Sequence, residues 1–126
     1  MDKYQPGVCN IGKNEIRKRY ALAVVGFAIA SLITYAMFSF GSSTLALIAT
    51  FVFLVLGFEG FYQGHFKFCA GFAARGIYDF KGSGNSRGKV QNSKFHEEDM
   101  HKAKQIHLYS LISGLVVAVA IYLVLH

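Results

Sequence analysis

No lysine or arginine falls between Arg19 and Lys67, and none follows Lys104. All 13 basic residues therefore lie in two segments, five before Tyr20 and eight from Lys67 to Lys104. Other absences narrow the reading. The two cysteines, Cys9 and Cys69, lack Cys-x-x-Cys spacing, and both belong to the basic segments whose expected cytoplasmic side disfavours a structural disulfide. Catalytic triads, phosphate-cradling glycine loops and nucleotide fingerprints are missing. The glycines from Gly82 to Gly88 lack the strand-to-helix setting and the Gly-Lys-Ser/Thr ending of a P-loop. The one proline, Pro6, stands beside Gly7 and keeps residues 1–10 irregular. Tryptophan is absent, so aromatic character rests on phenylalanine and tyrosine. Phenylalanines from Phe51 to Phe72 crowd the middle of the chain. Haem or quinone would suit such a surface, but packing against lipid or another subunit is the simpler reading.

What fills the uncharged stretches is apolar. Tyr20–Phe40, Leu45 to about Gly64 and Ile106–Leu125 each approach the roughly 20 residues that a ~30 Å hydrocarbon core requires. A soluble helix of this length would carry a polar face, whereas Leu115–Leu125 is apolar all round. The first run exceeds the ~7–15 residues of a signal-peptide core and is followed almost at once by a second. The fold class is therefore all-α: an integral membrane protein with three transmembrane helices, a short interfacial amphipathic helix and a helical extension of the third span. Short basic loops remain cytoplasmic. A multi-pass protein of a prokaryotic inner membrane follows as the expectation, with its N-terminus cytoplasmic and its C-terminus outside.

Within this single membrane domain the first helix is expected over residues 11–40, with Asn10 as its cap and a Glu15–Arg19 ion pair in its first turns. The small, uncharged Gly41-Ser42-Ser43-Thr44 link predicts an antiparallel hairpin with the second span, 45–64. Residues 65–80 read as an amphipathic helix, with Phe66, Ala73, Ile77 and Phe80 on one face and Lys67, Gly71, Arg75 and Asp79 on another. Residues 81–93 read as a flexible loop and 94–125 as a long third helix capped by Asn92 or Ser93. That helix, about 48 Å long, exceeds the membrane and projects a cytoplasmic stalk.

Several residues invite chemistry. Glu59 lies inside a span, where a carboxylate is costly unless paired or solvated. It is expected to pair with Arg75 or a basic residue of the first helix, to bond Tyr62 or a neighbouring hydroxyl, or to line an ion path. Glu98 and His101 have the Glu-x-x-His spacing of carboxylate-bridged metal bundles; with Glu59 and His65 they form a candidate metal set, to which His96 and His107 could add ligands if the stalk folds back against the second span. A second Glu-x-x-His is absent, and solvated stalk residues are the plainer reading. Cys9 and Cys69 are a candidate thiol pair, with buried packing thiols as the alternative. Gly60/Gly64 and Gly114/Ala118, together with Gly26/Ala30, are small-residue pairs that let another helix approach closely.

The segment Cys9-Asn10-Ile11-Gly12, followed by Glu15 and Arg17–Arg19 before a span, resembles the opening of a family of small uncharacterised prokaryotic membrane proteins. Phe68-Cys69-Ala70-Gly71-Phe72-Ala73-Ala74-Arg75-Gly76 resembles the motif after their second span. A more distant likeness is to the two-span module attached to some rhodanese domains. The resemblance implies the helical hairpin and a meeting of Cys9 with Cys69; it implies no activity.

The expected function is a non-catalytic accessory or assembly subunit of a larger membrane complex, needing no cofactor. Other integral-membrane subunits and anionic lipid headgroups are the expected partners, and nucleic acid is not, despite the net charge of +6. The alternatives are a small homo-oligomeric ion or metal transporter using Glu59 and the histidines, and a membrane metal or thiol redox protein.

Overall fold

The computed structural model describes residues 4–78 and 88–125. Three of its helices are long and apolar enough to cross a membrane: α1 (Lys13–Phe40), α2 (Thr44–Phe66) and α4 (Ser93–Leu125). Between α2 and α4 lie a six-residue helix, α3 (Ala70–Arg75), and two-residue strands β1 (Ile77–Tyr78) and β2 (Gly88–Lys89). The strands pair antiparallel, Ile77 opposite Lys89 and Tyr78 opposite Gly88. Much of the loop expected over 81–93 lies outside the described residues.

The hairpin of α1 and α2 follows from a tight turn. Gly41 takes φ 100°, a conformation that favours glycine, and its N–H closes the helix onto the Met37 carbonyl. Ser43 Oγ accepts the Ala46 N–H at 3.1 Å and opens α2. The two helices then lie close because glycines line their seam. A Cβ at Gly60 would stand 2.5 Å from the Arg19 carbonyl oxygen and 2.8 Å from the Ala23 nitrogen. At Gly26 it would meet the Gly57 nitrogen at 2.8 Å, and at Gly64 the Tyr20 ring at 3.1 Å. The Gly60/Gly64 pair is thus occupied by the chain's own first helix. Likewise Gly114 on α4 faces Val55 of α2, where a Cβ would come within 2.7 Å of its side chain. Of the small residues expected to receive other helices, Ala118 alone among Gly60, Gly64, Gly114 and Ala118 stays partly exposed, in a groove with Thr44 and Phe51.

The chain departs from the expected amphipathic helix over 65–80 for a local reason. α2 ends at Phe66, and Lys67 adopts a left-handed conformation, φ 56° and ψ 44°. The Phe68 N–H reaches back to the Gln63 carbonyl at 2.9 Å and the Lys67 N–H to Gly64 at 3.3 Å, a Schellman closure with lysine where glycine is usual. A non-glycine residue there costs about 1–2 kcal/mol. Burying Phe68 completely, among Ala70, Ala73, Ala103 and Ile106, offsets it. The chain then turns back as α3, whose buried residues are Ala70, Phe72 and Ala73, while Arg75 is exposed.

α4 begins one residue earlier than expected and is capped by Asn92, whose Oδ1 accepts the Lys94 N–H at 2.9 Å. Its first turns pack on α3 and its apolar part on α2, leaving α1 largely untouched. The first helix, in contrast, starts at Lys13 behind Gly12, and Asn10 does not cap it. The start of α1, the end of α2, α3 and the start of α4 therefore gather at one end of the bundle, here termed the basic end. The Gly41–Ser43 link marks the turn end.

Candidate functional site

The basic end holds a set of buried side-chain hydrogen bonds, and Asn10 is its centre. Its side chain is fully buried and binds both backbone groups of one residue: Nδ2 donates to the Cys69 carbonyl at 3.1 Å, and Oδ1 accepts the Cys69 N–H at 2.6 Å. The Asn10 N–H donates to the Lys67 carbonyl at 3.1 Å. An amide can satisfy a donor and an acceptor at once, which explains why asparagine suits a position facing an exposed turn of backbone. These bonds staple the N-terminal segment to the α2–α3 junction across 59 residues of sequence.

Cys69 sits inside this staple. Its Sγ accepts a hydrogen bond from Arg19 Nη2 at 2.8 Å, and the same arginine lies 3.4 Å from Glu15 Oε2. The expected Glu15–Arg19 pair is therefore present, with Lys18 Nζ also on Glu15, at 3.2 Å. Two guanidinium groups lie near the Phe72 ring, Arg19 at 5.8 Å and Arg75 at 5.2 Å from its centroid. Among the described residues Arg19 Nε is a buried nitrogen without a hydrogen-bond partner. Cys9 is buried one residue before Asn10, with its Sγ 3.6 Å from the Ile11 carbonyl. The two thiols thus occupy the same stapled region, and neither forms a disulfide.

A second clasp joins the N-terminal segment to α4. Asp99 is fully buried, accepting Tyr4 Oη at 2.7 Å and the Gly7 N–H at 2.8 Å. Tyr4 also stacks on Tyr78 at 4.8 Å. Burial, followed by the hydrogen bond and charge of Asp99, pushes the Tyr4 phenol well above its ordinary value.

Glu59 finds a partner other than those expected. Its Oε1 lies 2.5 Å from His107 Nδ1 on α4, and its Oε2 accepts from Gln63 Nε2 at 2.8 Å. Arg75 instead folds onto its own helix, with Nε on the Gly71 carbonyl at 3.3 Å. Tyr62, expected as a partner of Glu59, bonds Ser113 on α4 instead, at 2.7 Å. His107 is level with Glu59 because α4 runs antiparallel to α2. Glu98 and His101 precede His107 by nine and six residues on α4, or roughly 13 and 9 Å toward its start. His65 stacks on Phe61 at 5.9 Å, and His101 bonds Gln105 at 3.3 Å. Glu59, His65, Glu98 and His101 are thus spread out. Among the described residues no three His, Cys, Asp or Glu side chains are grouped closely enough to hold a metal ion.

The roles that were not anticipated are those of Asn10 as a staple, Arg19 as a donor to Cys69, Asp99 as the acceptor of Tyr4 and Gly7, and Ser113 as the partner of Tyr62. An asparagine beside a buried cysteine and an aspartate within an apolar stalk face are the signals that mark them. Comparison with family models, with curated proteins and with solved structures finds no match for the chain.

Proposed function

We propose that the protein is a non-catalytic accessory or assembly subunit of a larger integral-membrane complex. The observation that carries this reading is the state of α4. Only 11% of its most apolar window is buried within the chain, against 22% for each of α1 and α2. It rests on α2 along one side, while Leu108, Ile112, Val116 and Leu123 project outward, each more than half exposed. Helices of another chain can pack there by van der Waals contact, as membrane helices do. The polar groups of the basic end are turned inward on one another, an arrangement suited to holding a shape. With both basic segments cytoplasmic, as the charge asymmetry favours, this stapled cap faces the cytoplasm and its lysines meet anionic headgroups.

Extraction of native membranes in mild detergent tests the proposal. Photocrosslinking amino acids at Val116 and Leu123 are expected to capture a different membrane protein, within a particle much larger than the chain. Recovery of a folded monomer, with crosslinks to lipid alone, overturns it.

One observation favours a second reading. The Glu59–Gln63–His107 cluster places a carboxylate and an imidazole in contact on two spans, the kind of pair that marks ion paths. Glu59→Gln in reconstituted vesicles addresses it. Unchanged flux of protons and of metal cations removes ion handling and leaves the pair as a fastening between α2 and α4.

A further inference from the structure

The bundle is fastened at one end and parted at the other. Gly57, Gly60 and Gly64 hold α1 to α2, and the Tyr62–Ser113 bond with Gly114 holds α4 to α2. Toward the turn end α1 and α4 separate, leaving a cleft of about 560 Å³ with Leu54 of α2 at its base. Phe27, Ala30 and Thr34 line the α1 wall, and Val117 and Ile121 the α4 wall.

Three properties of this cleft define what fits it. No charged residue lines it; of its hydroxyls, Thr34's is given to the Ala30 carbonyl at 2.8 Å, those of Ser31 and Tyr35 stand on the α1 wall, and the rest of the lining is hydrocarbon, which suits an apolar ligand. Its volume falls within the ~300–1,000 Å³ usual for a small-molecule site. Its depth is that of a single leaflet: from Phe27 to Phe38 α1 rises about 16 Å, half of a ~30 Å hydrocarbon core. Edge-to-face packing of Phe27 on Phe58, with centroids 5.0 Å apart, stands at the inner limit. The slot runs from one surface to the midplane, which is the reach of one acyl chain of that leaflet.

We propose that the cleft between α1 and α4 is a lipid site that holds one acyl chain of the leaflet at the turn end. The outward face of α4, used in the subunit reading above, lies on a different flank. The lipid site rests only on the three helices spanning a bilayer.

The full-length chain in bilayers of phosphatidylcholine and phosphatidylglycerol, doped with a phospholipid bearing a diazirine midway along one acyl chain, tests this. After photolysis, adducts are expected to concentrate on Thr34, Val117 and Ile121 over the outward Leu32 and Val116. The double variant Ser31→Phe/Ala120→Phe fills the cleft from two exposed positions on its walls and should lose that excess. Ala28→Phe, exposed and outside the cleft, should keep it. Equal labelling of cleft and outward residues in the unmodified chain overturns the proposal, whether or not the filled variant folds. So does labelling that survives filling, or capture of another protein's helix in the cleft in native membranes.

Discussion

Replacing Asn10 by alanine removes two hydrogen bonds at once from a side chain with no exposed surface. The two ends of the loss differ. The Cys69 carbonyl keeps a partner, because it also accepts the Ala73 N–H at 3.0 Å inside α3. The Cys69 N–H has no such alternative, since its bond at 2.6 Å goes to Asn10 Oδ1. Each intramolecular bond contributes about 0.5–1.5 kcal/mol net, and a buried donor left unmatched costs about 1–3 kcal/mol. Asn10→Ala should therefore weaken the staple by roughly 2–4 kcal/mol, of which 2 kcal/mol is already a factor of about 30 in the opening equilibrium. The assay is alkylation of Cys69, a thiol only 5% exposed and held against Arg19, followed by peptide mapping in detergent or bilayer. In the variant, Cys69 should react at least an order of magnitude faster, while the helical content of the three long helices is unchanged. A Cys69 rate within about twofold of the original protein would refute the claim that the amide, rather than surrounding packing, closes this region.

Gly60→Val places a side chain where the Cβ alone would stand 2.5 Å from the Arg19 carbonyl, so α1 must move away; engineered cross-links between the start of α1 and the end of α2 should form poorly, and undiminished cross-linking contradicts the seam. Phe68→Ala empties a fully buried site and should cost about 3–5 kcal/mol, read as a lower denaturation midpoint; a loss below 1 kcal/mol would mean that the αL turn at Lys67 is held by something else. Tyr4 has a raised folded-state value, so its contribution is complete below the ordinary tyrosine value of about 10 and declines as pH rises toward the folded one. Docking of the N-terminal segment on α4, followed by limited proteolysis, should weaken above pH 10, and Tyr4→Phe should flatten that dependence; identical profiles count against the clasp. Glu59→Ala strips His107 and Gln63 of their shared acceptor and should loosen α4 from α2 near the basic end, measured as faster amide exchange around Ile106–Ser110.

The three long apolar helices were legible because their length and composition can both be counted along the chain. The turn after Phe40 was legible for a related reason, since Gly41 and Ser43 carry their own local geometry. The region around Lys67 was not. Its i,i+4 pattern does suit a continuing helix, but the gain from burying Phe68 against Ala103 and Ile106 depends on α4, about 35 residues away in sequence, and no local signal carries it. Glu59 was recognisable as a residue in need of a partner, whereas the identity of that partner depended on the register of α4 against α2. Asn10 misled for a similar reason. Its place before a helix suggests a cap, and its actual bonds are to backbone made available only by the turn at Lys67.

α2 explains why the glycine pattern does not advertise a free docking face. It carries two stripes at helical spacing. Gly57, Gly60 and Gly64 are bare and admit the backbone or rings of α1, while Val55, Glu59 and Tyr62 meet α4 through Gly114, His107 and Ser113. The three-residue turn at Gly41–Ser43 leaves α1 beside the glycine stripe, so intramolecular contact there has no association entropy to overcome. An outside helix competing for that stripe would have to displace it. Both of these faces of α2 are thereby used inside the chain, and the surfaces left to other molecules include an outward ridge on α4 long enough for a helix and a one-leaflet cleft between α1 and α4 suited to an acyl chain. Those surfaces differ in depth as well as position, which is why cross-linking at Val116 and at Val117, adjacent in sequence, should report different neighbours.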